Sequence, residues 1–207
     1  CMNNTGQSCN APTRMLVQRE MYDQAVNIAA ETAAKVTVGN SDQEGRHIGP
    51  VVNAVQFEKI QALIEKGIEE GARLVAGGPG RPDGMNRGYF VRPTVFADCN
   101  NDMTIMREEI FGPVLSIMPF DTEEEAIEIA NDTVYGLTNY VQTQDGTRAN
   151  RLARALRSGM VEMNGNSRGA GAPFGGMKQS GNGREGGLWG IEDFLEVKSV
   201  AGWTPDA

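Results

Sequence analysis

The chain has 207 residues, 40% of them hydrophobic, with 19 Lys+Arg against 27 Asp+Glu and a formal net charge of −8. This length predicts one domain or at most two small ones, and the apolar share excludes a disordered chain. The acidic balance argues against a general binder of nucleic acid or anionic membrane, and no uninterrupted apolar run exceeds three residues, too short for a transmembrane helix or a signal-peptide core. Position 1 is Cys rather than Met, as in a mature lipoprotein or a piece of a longer polypeptide. A lipoprotein usually follows its anchor Cys with a flexible Ser/Gly/Asp stretch. Here motif-like residues begin at once, so the piece is the expectation. The three cysteines, Cys1, Cys9 and Cys99, have no disulfide-like spacing, which points to a reducing, cytoplasmic setting. With His47 as the one histidine, the spacings fit no usual zinc site.

Residues 13–17 read as a short strand. Met21, Ala25, Ile28, Ala29, Thr32, Ala33 and Val36 then recur at helical spacing and predict a helix over 19–36. Residues 40–52 are a polar loop. Asn53 with Gln56 has the capping-box spacing, ahead of a helix whose apolar stripe is Phe57, Ile60, Leu63, Ile64 and Ile68. Residues 74–76 form a possible strand, and 79–88 are a Gly/Pro-rich surface loop. Residues 89–96 read as extended, and Pro93 predicts an edge position or an irregularity. A strand follows over 113–120. Thr122 and Glu125 open a capped helix to about Asn131 that buries Ile127 and Ala130. Next come a strand over 138–143 and a basic helix over 147–157 with Leu152 and Leu156 inward and Gly159 as its stop. A strand at 160–164 follows. Residues 165–190 hold ten of the 26 glycines and read as loop. A short helix near 190–195 and a possible strand at 196–203 end the chain. Strands alternating with helices predict an α/β fold, a mostly parallel sheet flanked by helices. No GxGxxG follows a strand, so a dinucleotide would find its main binding fold elsewhere.

Three segments carry candidate chemistry. Gly6-Gln7-Ser8-Cys9 lies in a polar loop before a strand, where a Cys can be exposed and backbone N–H groups can stabilise a thiolate or an oxyanion. The alternative is a small residue packed at a strand entrance. A protease-like pair would have to use His47, but a lone His in a polar loop is more often solvated or capping. In Glu108-Glu109-Ile110-Phe111-Gly112-Pro113, two acids run into a forced turn, either a solvated loop or a carboxylate that accepts from sugar hydroxyls. The segment 173–185 sets an aromatic, a Lys, an Arg and a Glu among glycines that let backbone approach a ligand closely.

These three motifs, in this order, resemble the aldehyde dehydrogenase superfamily. Its GQxC motif matches residues 6–9, its EEIFGPV block stands at 108–114, and its PFGGxKxSGxGRE block stands at 173–185. Weaker likenesses at 48–50, 88–96, 131–137 and 190–200 extend the resemblance over essentially the whole chain. It implies that residues 1–207 are the catalytic, cysteine-bearing domain of such an enzyme, with Cys9 as nucleophile and an aldehyde as the small-molecule substrate. The acceptor would be NAD or NADP, and the parent a homo-oligomer with no nucleic-acid, membrane or metal partner. By the match, the Cys9 N–H is an oxyanion donor, and Ser8, Asn10, Arg168 and Phe174 line the substrate pocket. Glu109 and Phe111 serve the cofactor, and Lys178 and Glu185 a proton relay. The family's general-base Glu, the Asn that completes the oxyanion hole and the Rossmann-like cofactor domain all precede the Cys, so the isolated chain is expected to be inactive. Residues 164–172 are small and polar with one cation, Arg168, where many relatives place bulky aromatics. That makes a long aliphatic or aromatic aldehyde less expected and offers a fork for a carboxylate. Two alternatives stand: a non-enzymatic oligomerisation domain, and an acylating relative that passes its acyl group to coenzyme A or phosphate.

Overall fold

A computed structural model describes residues 1–202. The chain divides into two compact units, Cys1–Thr133 and a second from Val134 onward. The first holds β1 (Arg14–Gln18), α1 (Tyr22–Ala34), α2 (Ala54–Glu69), β2 (Arg73–Ala76), β3 (Thr94–Ala97), α3 (Thr104–Arg107), β4 (Val114–Phe120) and α4 (Glu123–Asn131). Its sheet runs β1-β4-β3-β2, with β4 parallel to both β1 and β3 and with β2 antiparallel at the far edge.

Successive strand residues point to opposite faces, and the core divides accordingly. Phe96 and Val114 pack with Ile60 and Ile64 of α2, whereas Val95, Ala97 and Ile117 pack with Val26 and Ala33 of α1. Ile60 and Ile64 are wholly buried, and removing such a side chain from water stabilises the fold by about 1.5–3 kcal/mol each. The predicted caps form. The Asn53 side chain accepts from the Gln56 N–H, and the Thr122 side chain from the Glu125 N–H.

The sequence reading fails at several points in this unit, each for a local reason. A 3-10 turn at Arg19–Met21 precedes α1. Tyr22 is buried, and its hydroxyl donates to the Asp98 carboxylate at 3.0 Å and accepts from the Asp98 N–H at 2.5 Å. This anchor turns the helix so that Tyr22, Val26 and Ala33 face the core while Met21 and Ile28 are exposed. In α4 the buried residue is Ile129 rather than Ile127 or Ala130. Pro93 marks no edge, but the β2–β3 pairing that follows it carries the irregularity, a register shift between Leu74 and Ala76. β3 is an interior strand that starts one residue after Pro93, with the Thr94 N–H donating to the Pro113 carbonyl.

The second unit contains β5 (Thr138–Val141), α5 (Gly146–Ala155), β6 (Met160–Met163) and α6 (Gly187–Glu192), with β5 and β6 paired in parallel. Asp145 caps α5 by accepting from the Thr147 and Arg148 N–H groups. The helix ends at Ala155, so Gly159 is not its stop. A Cβ on Gly159 would fall on the Gly175 carbonyl, and close backbone approach is what requires glycine there. The Gly-rich segment hooks onto residues 134–136: the Met177 N–H donates to Gly136 O, the Gln179 N–H to Val134 O, and the Gly136 N–H to Ser180 Oγ. Residues 196–202 form no strand, and position 203 of the predicted strand lies outside the described residues.

Candidate active site

The loop that carries Cys9 is held by unusual backbone. Asn4, Thr5 and Gly6 are consecutively left-handed, with φ of 52°, 56° and 70°. Asn tolerates that region and Gly favours it, but a β-branched Thr does not, and such a residue costs about 1–3 kcal/mol unless its surroundings fix it. Here they do. Thr5 is buried, and its hydroxyl donates to Gly49 O at 3.0 Å. The Asn4 amide donates to Gln7 O at 2.8 Å, and Gln7 Oε1 accepts from the Val52 N–H at 2.9 Å. Beyond this arc, Ser8 Oγ donates to Asn10 Oδ1 at 2.7 Å.

Cys9 emerges exposed between Ser8 and Asn10. Its own N–H has no hydrogen-bond partner among the described residues. The other thiols differ. Cys1 is half-buried, with Sγ donating to Val114 O at 3.4 Å. Cys99 is buried, and burial pushes its pKa up to about 12. The ring nitrogen Nε2 of His47 lies 2.8 Å from Asn40 O, in its own loop.

The Glu109–Gly112 turn sits directly against the Cys9 loop. A Cβ on Gly6 would fall inside the Gly112 carbonyl group, and a Cβ on Gly112 would lie 2.6 Å from Ile60 Cδ1. Phe111 is half-buried and left-handed at φ 55°. Gln56 Nε2 donates to Ile110 O at 3.0 Å and to Phe111 O at 2.9 Å, and Lys59 Nζ donates to Glu109 O at 2.6 Å. The Glu109 carboxylate is exposed and has no partner among the described residues. Sequence reasoning missed Gln56 and Lys59 as site residues. Gln56 was legible only as the second half of a capping box, yet its side chain serves the turn instead of the cap.

In the second unit, the structure brings Arg168, Phe174 and Glu185 together. Phe174 and Glu185 form an antiparallel bridge, with N–H to O distances of 2.8 and 2.7 Å. The Arg168 guanidinium lies over the Phe174 ring, 5.1 Å from its centroid, with Nη1 3.6 Å from Met160 Sδ. Cation–π contacts at open sites are worth about 0.5–1 kcal/mol. Arg168 is exposed, yet its guanidinium is held over this ring, and among the described residues it forms no salt bridge. Lys178 opens a 3-10 turn, Lys178–Ser180, in the left-handed region at φ 58°. Arg184, read from sequence only as one cation of this loop, is its staple, donating from Nη1 to Gly176 O at 2.7 Å and Gly183 O at 2.9 Å.

Among the described residues, no group of three or more His, Cys, Asp or Glu could hold a metal ion, and no helix is long and apolar enough to cross a membrane. The family model described as the aldehyde dehydrogenase family matches residues 1–200. A 3-succinoylsemialdehyde-pyridine dehydrogenase from Pseudomonas sp is 51% identical over 202 residues, covering 98% of this chain and 42% of that protein. The crystal structure of an aldehyde dehydrogenase from Bartonella henselae superposes with a TM-score of 0.96 at 59% identity, covering 98% of this chain and 43% of that one. Aldehyde dehydrogenase C from Pseudomonas syringae, solved as a mutant complexed with NAD+ and octanal, gives 0.95 at 48% identity, covering 100% of this chain and 42% of that one. The chain thus spans about 42% of the length of these relatives.

Proposed function

Because the chain belongs to the aldehyde dehydrogenase family, we propose that it is the cysteine-bearing catalytic part of an enzyme that oxidises an aldehyde to a carboxylic acid with NAD or NADP. The observation that carries this reading is the placement of Cys9. It is an exposed thiol on a loop fixed by strained backbone and packed, through Gly6 and Gly112, on the turn that bears Glu109 and Phe111.

The Cys9 thiolate attacks the aldehyde carbon, forming a C–S bond as the carbonyl π pair moves onto oxygen. The free Cys9 N–H is available to donate to that oxyanion. The nicotinamide cofactor supplies the hydride acceptor. With the hydride passed to that acceptor, the carbonyl would re-form as a Cys9 thioester. Water then adds to the thioester, the C–S bond breaks, and the acid leaves with Cys9 restored. A sulfur nucleophile suits both halves because it attacks and departs readily.

On the cofactor side, an exposed, unpaired carboxylate at Glu109 suits a pair of ribose hydroxyls, and the half-buried Phe111 ring offers a flat apolar surface beside it. These two residues fit the group. Ser8 and Asn10, bonded to each other on either side of Cys9, form the polar rim of the substrate site. Arg168 and the Phe174 ring beneath it are assigned to the substrate, and Lys178 and Glu185 to proton movement. The parent is read as a cytoplasmic homo-oligomer.

An activated ester tests the nucleophile without any cofactor. p-Nitrophenyl acetate is expected to release a burst of nitrophenolate and to leave an acetyl group on the Cys9 peptide by mass mapping. Cys9→Ala should abolish both. Acetylation confined to lysines, or a burst unchanged in Cys9→Ala, would refute the assignment.

A further inference from the structure

The geometry points to Gln56 and Lys59 as positioning residues that hold the Glu109–Phe111 turn and, through it, the Cys9 loop. This rests on the reading of Glu109, Phe111 and Cys9 given above. Gln56, Lys59 and Ile60 occupy one face of α2 at i, i+3 and i+4 spacing. Three successive carbonyls, Glu109, Ile110 and Phe111, all receive side-chain donors from that face, at 2.6, 3.0 and 2.9 Å. The fourth residue, Gly112, presses on Ile60 on one side and on Gly6 on the other.

The turn needs this support. Phe111 is left-handed, a conformation that costs a non-glycine residue free energy and persists only where the surroundings over-determine it. A turn directs its backbone carbonyls away from any ladder, so a helix face that supplies three donors fixes its shape. The side chains of Glu109 and Phe111 are thereby set at defined positions. The Gly6 contact extends the same constraint to the arc before Cys9, because Gly6 has no room to move toward Gly112. Asn53 anchors the arrangement by capping α2 through the Gln56 N–H, which leaves the Gln56 amide side chain free to reach across.

The test uses the chain itself and needs neither cofactor nor aldehyde. Gln56→Met keeps the side-chain length and removes both donors. Gln56→Glu keeps the shape and sets a carboxylate against two carbonyls. Lys59→Met removes the third donor alone. In each variant, amide exchange is measured by NMR at Val114, whose N–H donates to Gly112 O at 2.8 Å, and at Gln7, whose N–H donates to Asn4 O at 3.1 Å. Gln56→Met is expected to speed exchange at both by roughly 5- to 100-fold, the loss of two ordinary hydrogen bonds. Gln56→Glu should do more and Lys59→Met less. Amides within the β1/β4 ladder should keep their protection. The acetylation rate of Cys9 should change in the same order as the exchange. Unchanged exchange at Val114 and Gln7, or equal loosening of the whole sheet, would overturn the inference. Failure of the catalytic reading looks different: Cys9 of the unaltered chain would then not be acetylated, whatever the variants do to exchange.

Discussion

Brief iodoacetamide treatment near pH 8 labels Cys9 first and leaves Cys99 essentially untouched. A thiol with its pKa pushed up to about 12 is ionised to only about one part in 10⁴ at that pH. Only the thiolate alkylates at a useful rate, so Cys99 is held in its unreactive form. Burial of Cys99 adds to this, because the reagent has to reach a side chain enclosed beside Phe96 and Met103. Cys1 is half-buried and should fall between the two. Peptide mapping after short exposure reads the order directly, and a sample unfolded in guanidinium, in which all three thiols react, provides the reference. Native labelling of Cys99 at a rate near that of Cys9 would contradict the account.

The purified 207-residue chain is expected to produce no measurable NADH or NADPH from an aldehyde. The chain spans about 42% of the length of its relatives, and positioned proton transfer is typically worth about 10²–10⁴-fold. Placing the hydride acceptor against the reacting carbon is an effect of proximity and orientation, which contributes about 7–11 kcal/mol in well-oriented systems. Under the proposed reading, Glu109 and Phe111 would form only part of a nucleotide site. The rate should therefore lie several orders of magnitude below that of a full-length relative. Absorbance at 340 nm over hours, with Cys9→Ala as the blank, checks this. A rate comparable to that of a full-length relative would show that the site is complete without further chain.

Much of the fold was legible in the sequence because its signals are local. The caps at Asn53 and Thr122 depend on one side chain and one N–H three residues on, and both form. The α2 stripe is right because Ile60 and Ile64 are large and share one face. Where the reading failed, a distant partner decided the outcome. The rotation of α1 is set by Tyr22 bonding to Asp98, 76 positions away. Gly159 is fixed by backbone from Gly175, which no helix-stop rule includes.

The same division holds for the candidate site. Cys9, Glu109 and Phe111 were legible as candidates because their motifs are contiguous. Gln56 and Lys59 were not, since what they hold lies some 50 positions later and a Gln after an Asn cap has a sufficient local explanation. Arg168 was legible as a lone cation but not as a cap on the Phe174 ring, since spacing cannot show that the two stack.

The central claim is that Cys9 adds to an aldehyde carbonyl, and protection from alkylation measures that addition. The chain is treated with iodoacetamide over a range of propanal concentrations, and labelling of each cysteine is followed by peptide mapping. The account predicts that labelling of Cys9 slows to a plateau as propanal rises, while the rate at Cys1 stays constant. Cys9 labelling unaffected by propanal, or Cys1 slowed in parallel with it, would contradict the claim.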